Sequence, residues 1–293
     1  VVAKTATKDN GMVLNVNHVE AVVSMYAGTL NGSGVTNGNN GAAINISGTM
    51  HMYGGSVLGG TGVNGGAVRV SNENAVLELT GGTIVGGTAQ RGGAIFNAGT
   101  IRLHGGAIDG GSADNGGAIY NTGDVFIHGG TVTGGTVSGQ GSAIYSGGCV
   151  KMSGGTVTRG EYLKAAVVYQ KGENTLFEIT GGVLDGTKDG SGAQMGAITA
   201  WSGSTVTVNG GTIQGNPKSL YAYSATVNIH AGTVEGNQLY ISGDTEAKLP
   251  STVNITGGNV PKEIYLRYGN AFLSGSPVLN GFNCYDAEQK ITI

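Results

Sequence analysis

Four aspartates have the clearest potential for acid–base chemistry in this 293-residue chain: Asp109, Asp114, Asp185 and Asp189. Glycoside hydrolysis uses two carboxyl groups, about 6.5–9.5 Å apart in inverting enzymes and about 5 Å apart in retaining ones. Asp109 and Asp185 are three copies of a sequence repeat apart. The neighbouring pairs, Asp109 with Asp114 and Asp185 with Asp189, lie beside glycine-rich turns, where aspartate is common. We therefore predict no catalytic residue. The four aspartates are the candidate catalytic residues of an alternative hypothesis, in which the chain is a glycoside hydrolase or polysaccharide lyase acting on host or plant glycans.

Two histidines, His104 and His128, occupy equivalent positions in neighbouring repeats, where stacked imidazoles could bind a metal ion. Zinc normally takes three or four protein ligands. The same position in other repeats holds Thr80, Ser153 and Thr180, none of which is a strong zinc ligand. The sequence therefore predicts neither a metal site nor a cofactor.

A repeat of about 25 residues positions all of these side chains. The last glycine of a Gly-Gly or Ala-Gly pair recurs from Gly28 to Gly258 at nine intervals of 21 to 29 residues. Each copy holds three short runs rich in Val, Ile and Thr, and the alternation within these runs indicates strands. A fixed period of this length is typical of a solenoid. We predict an all-β, right-handed parallel β-helix of about ten coils with three short strands per coil.

We expect one domain over residues 1–293, with an N-terminal cap at 1–10, repeat coils at 11–269 and a C-terminal coil or cap at 270–293. Terminal coils need such a cover because open strand edges invite aggregation. Cys149 and Cys284 are several repeats apart, beyond the reach of a disulfide, and both are expected to be free. The chain begins with Val1 instead of methionine, which indicates a fragment of a longer protein.

Composition excludes several classes of protein. The chain has 58 glycines but four prolines and no Gly-X-Y period, which excludes collagen. Its net charge is −3 and it has no basic run, so we expect no nucleic-acid partner. No apolar stretch reaches the 18 or so residues that a membrane span requires.

One outward-facing repeat position is rich in aromatic residues. Seven of its ten members are aromatic, although aromatic residues make up only 6% of the chain: Asn45, Arg69, Phe96, Tyr120, Tyr145, Tyr169, Thr199, Tyr221, Tyr240 and Tyr265. Two interpretations remain open. Stacked rings stabilise by about 0.5–1.5 kcal/mol per pair and would stiffen the solenoid, whereas exposed rings would form a platform for sugars or a partner protein. The candidate ligand-binding residues are Phe96, Tyr120, Tyr145, Tyr169, Tyr221 and Trp201, the last placed in an irregular loop.

Two further rows are expected to be structural. Asn97 and Asn121 end the first strand of adjacent coils and predict an asparagine ladder that caps corner backbone groups. An apolar row is expected to face inward: Met52, Leu79, Leu103, Ile127, Met152, Ile179, Val208, Ile229 and Ile255.

The repeat motifs resemble those of known bacterial surface proteins. Gly92-Gly93-Ala94-Ile95 and Gly116-Gly117-Ala118-Ile119, each followed by an aromatic residue and asparagine, resemble the Gly-Gly-Ala-Ile repeats of polymorphic outer-membrane autotransporter adhesins. The Ile/Val-x-Gly-Gly-Thr-Val pattern and segment 270–277 (NAFLSGSP) resemble repeat regions of very large surface proteins of gut Firmicutes.

Both groups are exported and largely adhesive. The resemblance therefore implies an extracellular protein of the bacterial cell surface: a non-catalytic adhesin or stalk segment whose partner is a host glycan or a host surface protein. A pure structural spacer is the second alternative, after the enzyme.

Overall fold

The predicted solenoid is confirmed. A computed structural model describes residues 12–37, 43–160, 165–187, 195–215, 217–261, 263–277, 282–284 and 290–292. These residues form parallel strands stacked in about nine turns, close to the ten predicted, with roughly 25 residues and three strands per turn. The described residues contain no helix, and hence none able to cross a membrane.

Three faces run along the solenoid. Face A contains the first strand of each turn: Leu14–Val16, Ile44–Ile46, Val68–Val70, Ile95–Asn97, Ile119–Asn121, Ile144–Ser146, Val168–Lys171, Ile198–Trp201, Lys218–Tyr223, Gln238–Ser242, Glu263–Arg267 and Phe282–Cys284. Face B contains the second: Val22–Met25, Thr49–Met52, Val76–Leu79, Thr100–Leu103, Asp124–Ile127, Cys149–Met152, Leu176–Ile179, Ser251–Ile255, Gly269–Leu273 and Lys290–Thr292.

Face C contains the third strand of the earlier turns: Thr29–Asn31, Ser56–Leu58, Thr83–Val85, Ala107–Asp109, Thr131–Thr133, Thr156–Thr158 and Val183–Gly186. Faces B and C merge later in the chain, in the long strands Thr205–Gly215 and Thr226–Glu235. Short strands also pair in the segment between face C and the next strand of face A: Thr36–Asn37 with Thr61–Gly62, and Ser112–Ala113 with Thr136–Val137.

The core is a continuous apolar column inside the coils. Every residue of the predicted inward row, from Met52 to Ile255, is buried to 1% exposure or less. Alternation along each strand sends these side chains inward and their neighbours outward, and parallel register stacks equivalent residues about 4.8 Å apart. Burial of this column against the turns above and below gives short strands a stability that none of them has alone.

Glycine doublets allow the close approach of successive turns at the corner after face C. A Cβ added to Gly111 would lie 2.0 Å from the carbonyl oxygen of Gly87, and one added to Gly135 would lie 1.9 Å from that of Gly111. Real Cβ atoms do not tolerate such contacts, so this column admits no side chain. The corner therefore requires glycine for space: neither Gly111 nor Gly135 has a positive φ.

The ends of the chain are only partly described. Residues 1–10, the predicted N-terminal cap, lie outside the described residues. Within 270–293, the strands Phe282–Cys284 and Lys290–Thr292 pair in parallel with the preceding turn. Cys149 is a free thiol, while the side chain of Cys284 lies outside the described part of the chain.

Candidate functional site

The aromatic row lies on face A and begins as a tight column of rings. Phe96, Tyr120, Tyr145 and Tyr169 pair in register from turn to turn. Their ring centroids are 5.8, 4.8 and 5.4 Å apart, and their planes differ by 11°, 8° and 21°. We call these four residues the ring stack. Because each inner ring is covered on both faces by its neighbours, the stack presents ring edges to the solvent and no free platform for a sugar.

The ring stack ends where Thr199 interrupts the row. Thr199 pairs in register with Tyr169 on one side and Tyr221 on the other. Tyr169, the last ring of the stack, is only 9% exposed. Burial raises the pKa of its hydroxyl to about 12, and the neighbouring Tyr145 and Tyr221 act in the same direction.

Beyond Thr199, the aromatic residues form a broader surface, which we call the recognition patch. It consists of Trp201, Lys218, Tyr221, Tyr223, Tyr240, Tyr265 and Arg267, all on strands of face A. The strands there have four to six residues, against three in the earlier turns. Since alternate residues face outward, the longer strands add a second outward column, in which Trp201, Tyr223 and Arg267 lie.

The expected loop position of Trp201 is wrong. Trp201 is the last residue of the strand Ile198–Trp201 and pairs in register with Lys171 and Tyr223. The turn starts only afterwards, at Ser202 and Gly203, which have φ values of 57° and 81°. The irregular sequence reflects this left-handed turn, whereas the tryptophan itself belongs to the sheet surface.

Rings in the patch are packed less uniformly than in the ring stack. Trp201 and Tyr223 stack at 4.2 Å and 15°, and Tyr240 and Tyr265 stack at 4.3 Å and 9°. Tyr221 lies between the two pairs, tilted by 49° from Trp201 and by 45° from Tyr240. Its faces are therefore not covered in parallel by a neighbouring ring.

Two cations accompany these rings. The Lys218 Nζ lies 5.1 Å from the ring centroid of Tyr221 and 4.4 Å from that of Tyr240, and burial lowers its pKa. The Tyr240 hydroxyl shares hydrogen bonds with Arg267 and Tyr265. Among the described residues, the three ion pairs all lie elsewhere and involve neither cation. The patch thus combines aromatic surface, hydroxyl groups and positive charge that no described carboxylate neutralises by contact.

The asparagines Asn97 and Asn121 form a buried ladder on face A. Asn97 Nδ2 donates to Asn121 Oδ1 at 2.7 Å and to the carbonyls of Gly99 and Asp124. Asn121 Nδ2 continues the ladder to Ser146 Oγ at 3.1 Å. Each amide therefore links its own corner to the next turn.

Replacement of Asn121 by alanine is expected to lower the free energy of unfolding by about 2–3 kcal/mol, because it removes several buried hydrogen bonds and leaves their partners unsatisfied. Urea denaturation followed by circular dichroism measures the loss. Thr122→Ala is the matched control, since it removes one exposed hydroxyl that bonds to the Asn97 carbonyl. An equal effect of the two substitutions would contradict a structural role of the ladder.

Asp109 and Asp185 do not form a carboxylate pair on face C. Asp109, Thr133, Thr158 and Asp185 are successive in register on face C, which separates the two carboxylates by roughly 14 Å at about 4.8 Å per turn. Asp114 lies in the following corner and accepts a hydrogen bond from Ser138 Oγ at 3.1 Å. Asp189 lies outside the described residues.

Asp185 has the electrostatics of a structural carboxylate. Partial burial opposes ionisation, but hydrogen bonds from Thr187 and Gln214 and the charge of Arg159 outweigh it and lower the pKa of Asp185 below its usual value. A general acid needs the opposite shift, so that it still holds a proton near neutral pH. Asp185 therefore lacks the property that the acid of a glycosidase requires.

His104 and His128 do stack, at 4.9 Å and 20°, but their nitrogens have other partners. His104 Nε2 lies 3.3 Å from Glu78 Oε1, and the other oxygen of Glu78 lies 3.1 Å from His51 Nδ1. His128 Nδ1 lies 2.8 Å from Ser153 Oγ. Among the described residues, no group of three His, Cys, Asp or Glu side chains could hold a metal ion.

Sequence reasoning missed the buried guanidinium of Arg159. This side chain is 2% exposed and donates hydrogen bonds to four backbone carbonyls, those of Ala165, Gly186, Met195 and Gly196. Arg159 occupies the corner position that Gly110 and Gly134 hold in earlier turns. The only signal in the sequence is this break in the glycine pattern.

Comparisons with known proteins add no relative: no protein-family model, no curated protein and no solved structure matches the chain.

Proposed function

We propose that the chain is a non-catalytic segment of a bacterial cell-surface adhesin, which binds host glycans through the recognition patch. The observation that carries this proposal is the contrast within one aromatic row. The rings of the ring stack cover one another, whereas Tyr221 in the patch is tilted away from both neighbours and lies beside Trp201 and Lys218.

The chemistry of the patch suits a sugar better than an apolar partner. Sugars present C–H faces that pack on aromatic rings and hydroxyl groups that need hydrogen-bond partners, and protein sites for polar ligands combine both kinds of group. Along the strand Glu263–Arg267, outward residues span about 13 Å at 3.3 Å per residue, and four turns span roughly 14 Å along the solenoid. This area accommodates a short oligosaccharide.

The extracellular location rests on the resemblance of the Gly-Gly-Ala-Ile tetrads to exported adhesins. A repeat fold also suits a surface protein because a solenoid can lengthen without needing a larger core. We accordingly propose host glycans or host surface glycoproteins as the partner class.

A variant with Trp201→Ala and Tyr221→Ala is expected to lose at least about 30-fold in glycan affinity, the effect of removing about 2 kcal/mol of aromatic contact. The measurement is a glycan array on the purified chain, followed by titration calorimetry with a retained glycan. The matched control carries Tyr120→Ala and Tyr145→Ala in the ring stack, and is expected to lose stability but keep its affinity. Retained binding in the first variant, or lost binding in a folded second one, would contradict the assignment of the patch.

The same array distinguishes the two alternatives. The ring stack favours a structural spacer as the second candidate, because four stacked aromatic residues stiffen the solenoid without offering a ligand surface. A spacer would retain no glycan. A glycoside hydrolase or lyase would instead release cleaved product, and Asp109, Asp114 and Asp185 would then be the residues to replace.

A further inference from the structure

A cavity of about 180 Å³ lies on face B, away from the recognition patch. Residues from three successive turns line it, and they belong to two outward columns of this face. The first column contains Phe126, Lys151 and Glu178, which pair in register, and the second contains the residues two positions later. Pockets for drug-sized ligands usually measure about 300 Å³ or more, so this one has room for a single ring-sized group.

Two parallel rings form one wall of the cavity. The planes of Phe126 and His128 are parallel to within 5°, and their centroids are 6.4 Å apart. Two residues along a strand rise by about 6.6 Å, so the rings lie side by side. On the preceding turn, Arg102 lies 5.5 Å from the ring centroid of Phe126 and His104 stacks on His128 at 4.9 Å. The opposite faces of both rings are turned towards the cavity, whose other lining residues belong to the two following turns.

The cavity opens where the second column changes from rings to small residues. Ser153 follows His128 in this column, and its hydroxyl lies 2.8 Å from His128 Nδ1. Thr180 comes next and donates a hydrogen bond to the Met152 carbonyl at 3.4 Å. Both side chains are exposed, so the space beside the His128 ring is open to the solvent. Their hydroxyls can also accept hydrogen bonds from a ligand.

A carboxylate and an ammonium group border the same cavity. Glu178 Oε1 accepts a hydrogen bond from Asn209 Nδ2 at 3.0 Å, and its Oε2 lies 3.5 Å from Lys151 Nζ. An ionised carboxylate offers about four lone-pair sites and an ammonium group three donors. These contacts use only some of them, so Glu178 can accept and Lys151 can donate further hydrogen bonds. The cavity thus combines an aromatic wall with a strong acceptor and a strong donor.

We propose that this cavity binds one sugar ring, whose C–H face packs on Phe126 and His128 and whose hydroxyls bond to Glu178 and Lys151. A sugar suits the site because its hydroxyls both donate and accept, whereas an apolar protein side chain would leave both charged groups unused. The inference goes beyond the proposed function, since it adds a second site on another face. A single ring makes few contacts, so the Kd is expected to be in the millimolar range, too weak for retention on an array.

The test uses a chain in which Trp201→Ala and Tyr221→Ala have already removed the recognition patch. Methyl glycosides of glucose, galactose, mannose and N-acetylglucosamine are titrated against it, and ligand-observed NMR measures binding. At least one glycoside is expected to bind with a millimolar Kd. Failure of all four would overturn this proposal and leave the proposed function of the patch untouched. If the patch variant does not fold, the substitutions below are compared in the wild-type chain.

Ser153→Tyr extends the ring column into the cavity and is expected to abolish glycoside binding, while the thermal midpoint stays close to its original value. Thr80→Tyr is the matched control, because it adds the same ring to the same column three turns earlier, at a threonine that bonds to the Met52 carbonyl as Thr180 bonds to that of Met152. This control should leave the affinity unchanged. Unchanged affinity in a folded Ser153→Tyr chain would contradict the assignment of the cavity.

Glu178→Gln keeps the shape of the side chain, removes its charge, and is expected to weaken glycoside binding about tenfold, in the range of charge-assisted hydrogen bonds. This variant decides the outcome if Ser153→Tyr does not fold: an unchanged affinity would then overturn the proposal. Binding of N-acetyl-leucine amide in place of every glycoside would overturn it too, because the cavity would then serve a protein side chain.

Discussion

Replacement of Arg159 by methionine is expected to lower the free energy of unfolding by about 3–5 kcal/mol, since a lost partner leaves each buried polar group with a penalty of about 1–3 kcal/mol. Methionine has a similar reach but no donor, so four backbone carbonyls, those of Ala165, Gly186, Met195 and Gly196, lose a hydrogen bond at once. We expect a loss smaller than the sum of four such penalties because the chain can relax partly around the substitution. The midpoint of urea unfolding, followed by tryptophan fluorescence, measures the change.

Arg91→Met is the matched control. Arg91 is exposed, and its guanidinium lies 5.8 Å from the ring centroid of Tyr120. An exposed cation–π contact contributes about 0.5–1 kcal/mol, so this substitution should move the midpoint only slightly. Comparable losses in the two variants would show that the buried network of Arg159 contributes little.

Gly135→Ala is expected to destabilise the chain by at least about 3 kcal/mol, at or beyond the usual upper end for overpacking. The added Cβ would lie 1.9 Å from the Gly111 carbonyl oxygen and 2.8 Å from the Gly111 nitrogen. Both are backbone atoms of the preceding turn, which is itself fixed between two others, so the contact cannot be relieved by a side-chain rotation. Thermal unfolding and the yield of folded protein give the measurement.

Gly147→Ala tests whether space, and not the loss of a glycine as such, causes this effect. A Cβ at Gly147 would meet no atom closer than 3.8 Å. Alanine there also restricts the unfolded chain, so stability should change by less than about 1 kcal/mol. If Gly147→Ala were as harmful as Gly135→Ala, the close approach of the turns would not be the cause.

Most of the fold could be predicted from the sequence because a solenoid repeats one local solution. The spacing of the glycine pairs gave the turn length, and alternation within each strand gave the inward row from Met52 to Ile255. It also predicted the register of the aromatic row, in which Phe96, Tyr120 and Tyr145 are true neighbours. Such properties depend on period alone, and period is visible in the sequence.

The site was harder to predict because it lies where the period changes. Trp201 looked like a loop residue, since the left-handed turn at Ser202 and Gly203 follows it directly. The pattern did not distinguish the stacked Tyr145 from the tilted Tyr221, because ring orientation depends on strand length and on the residues beside each ring. Arg159 was missed for a related reason: its partners are main-chain carbonyls, which no side-chain pattern reveals.

The parallel register of the turns also determines how the chain would respond to tension. Hydrogen bonds between turns run along the solenoid axis, so a pull between the two ends acts on them one turn after another instead of shearing many together. Each released turn adds roughly 25 residues, or about 85 Å of extended chain at about 3.4 Å per residue. A cell-surface segment built in this way would lengthen stepwise under flow and limit the force that reaches a bound ligand.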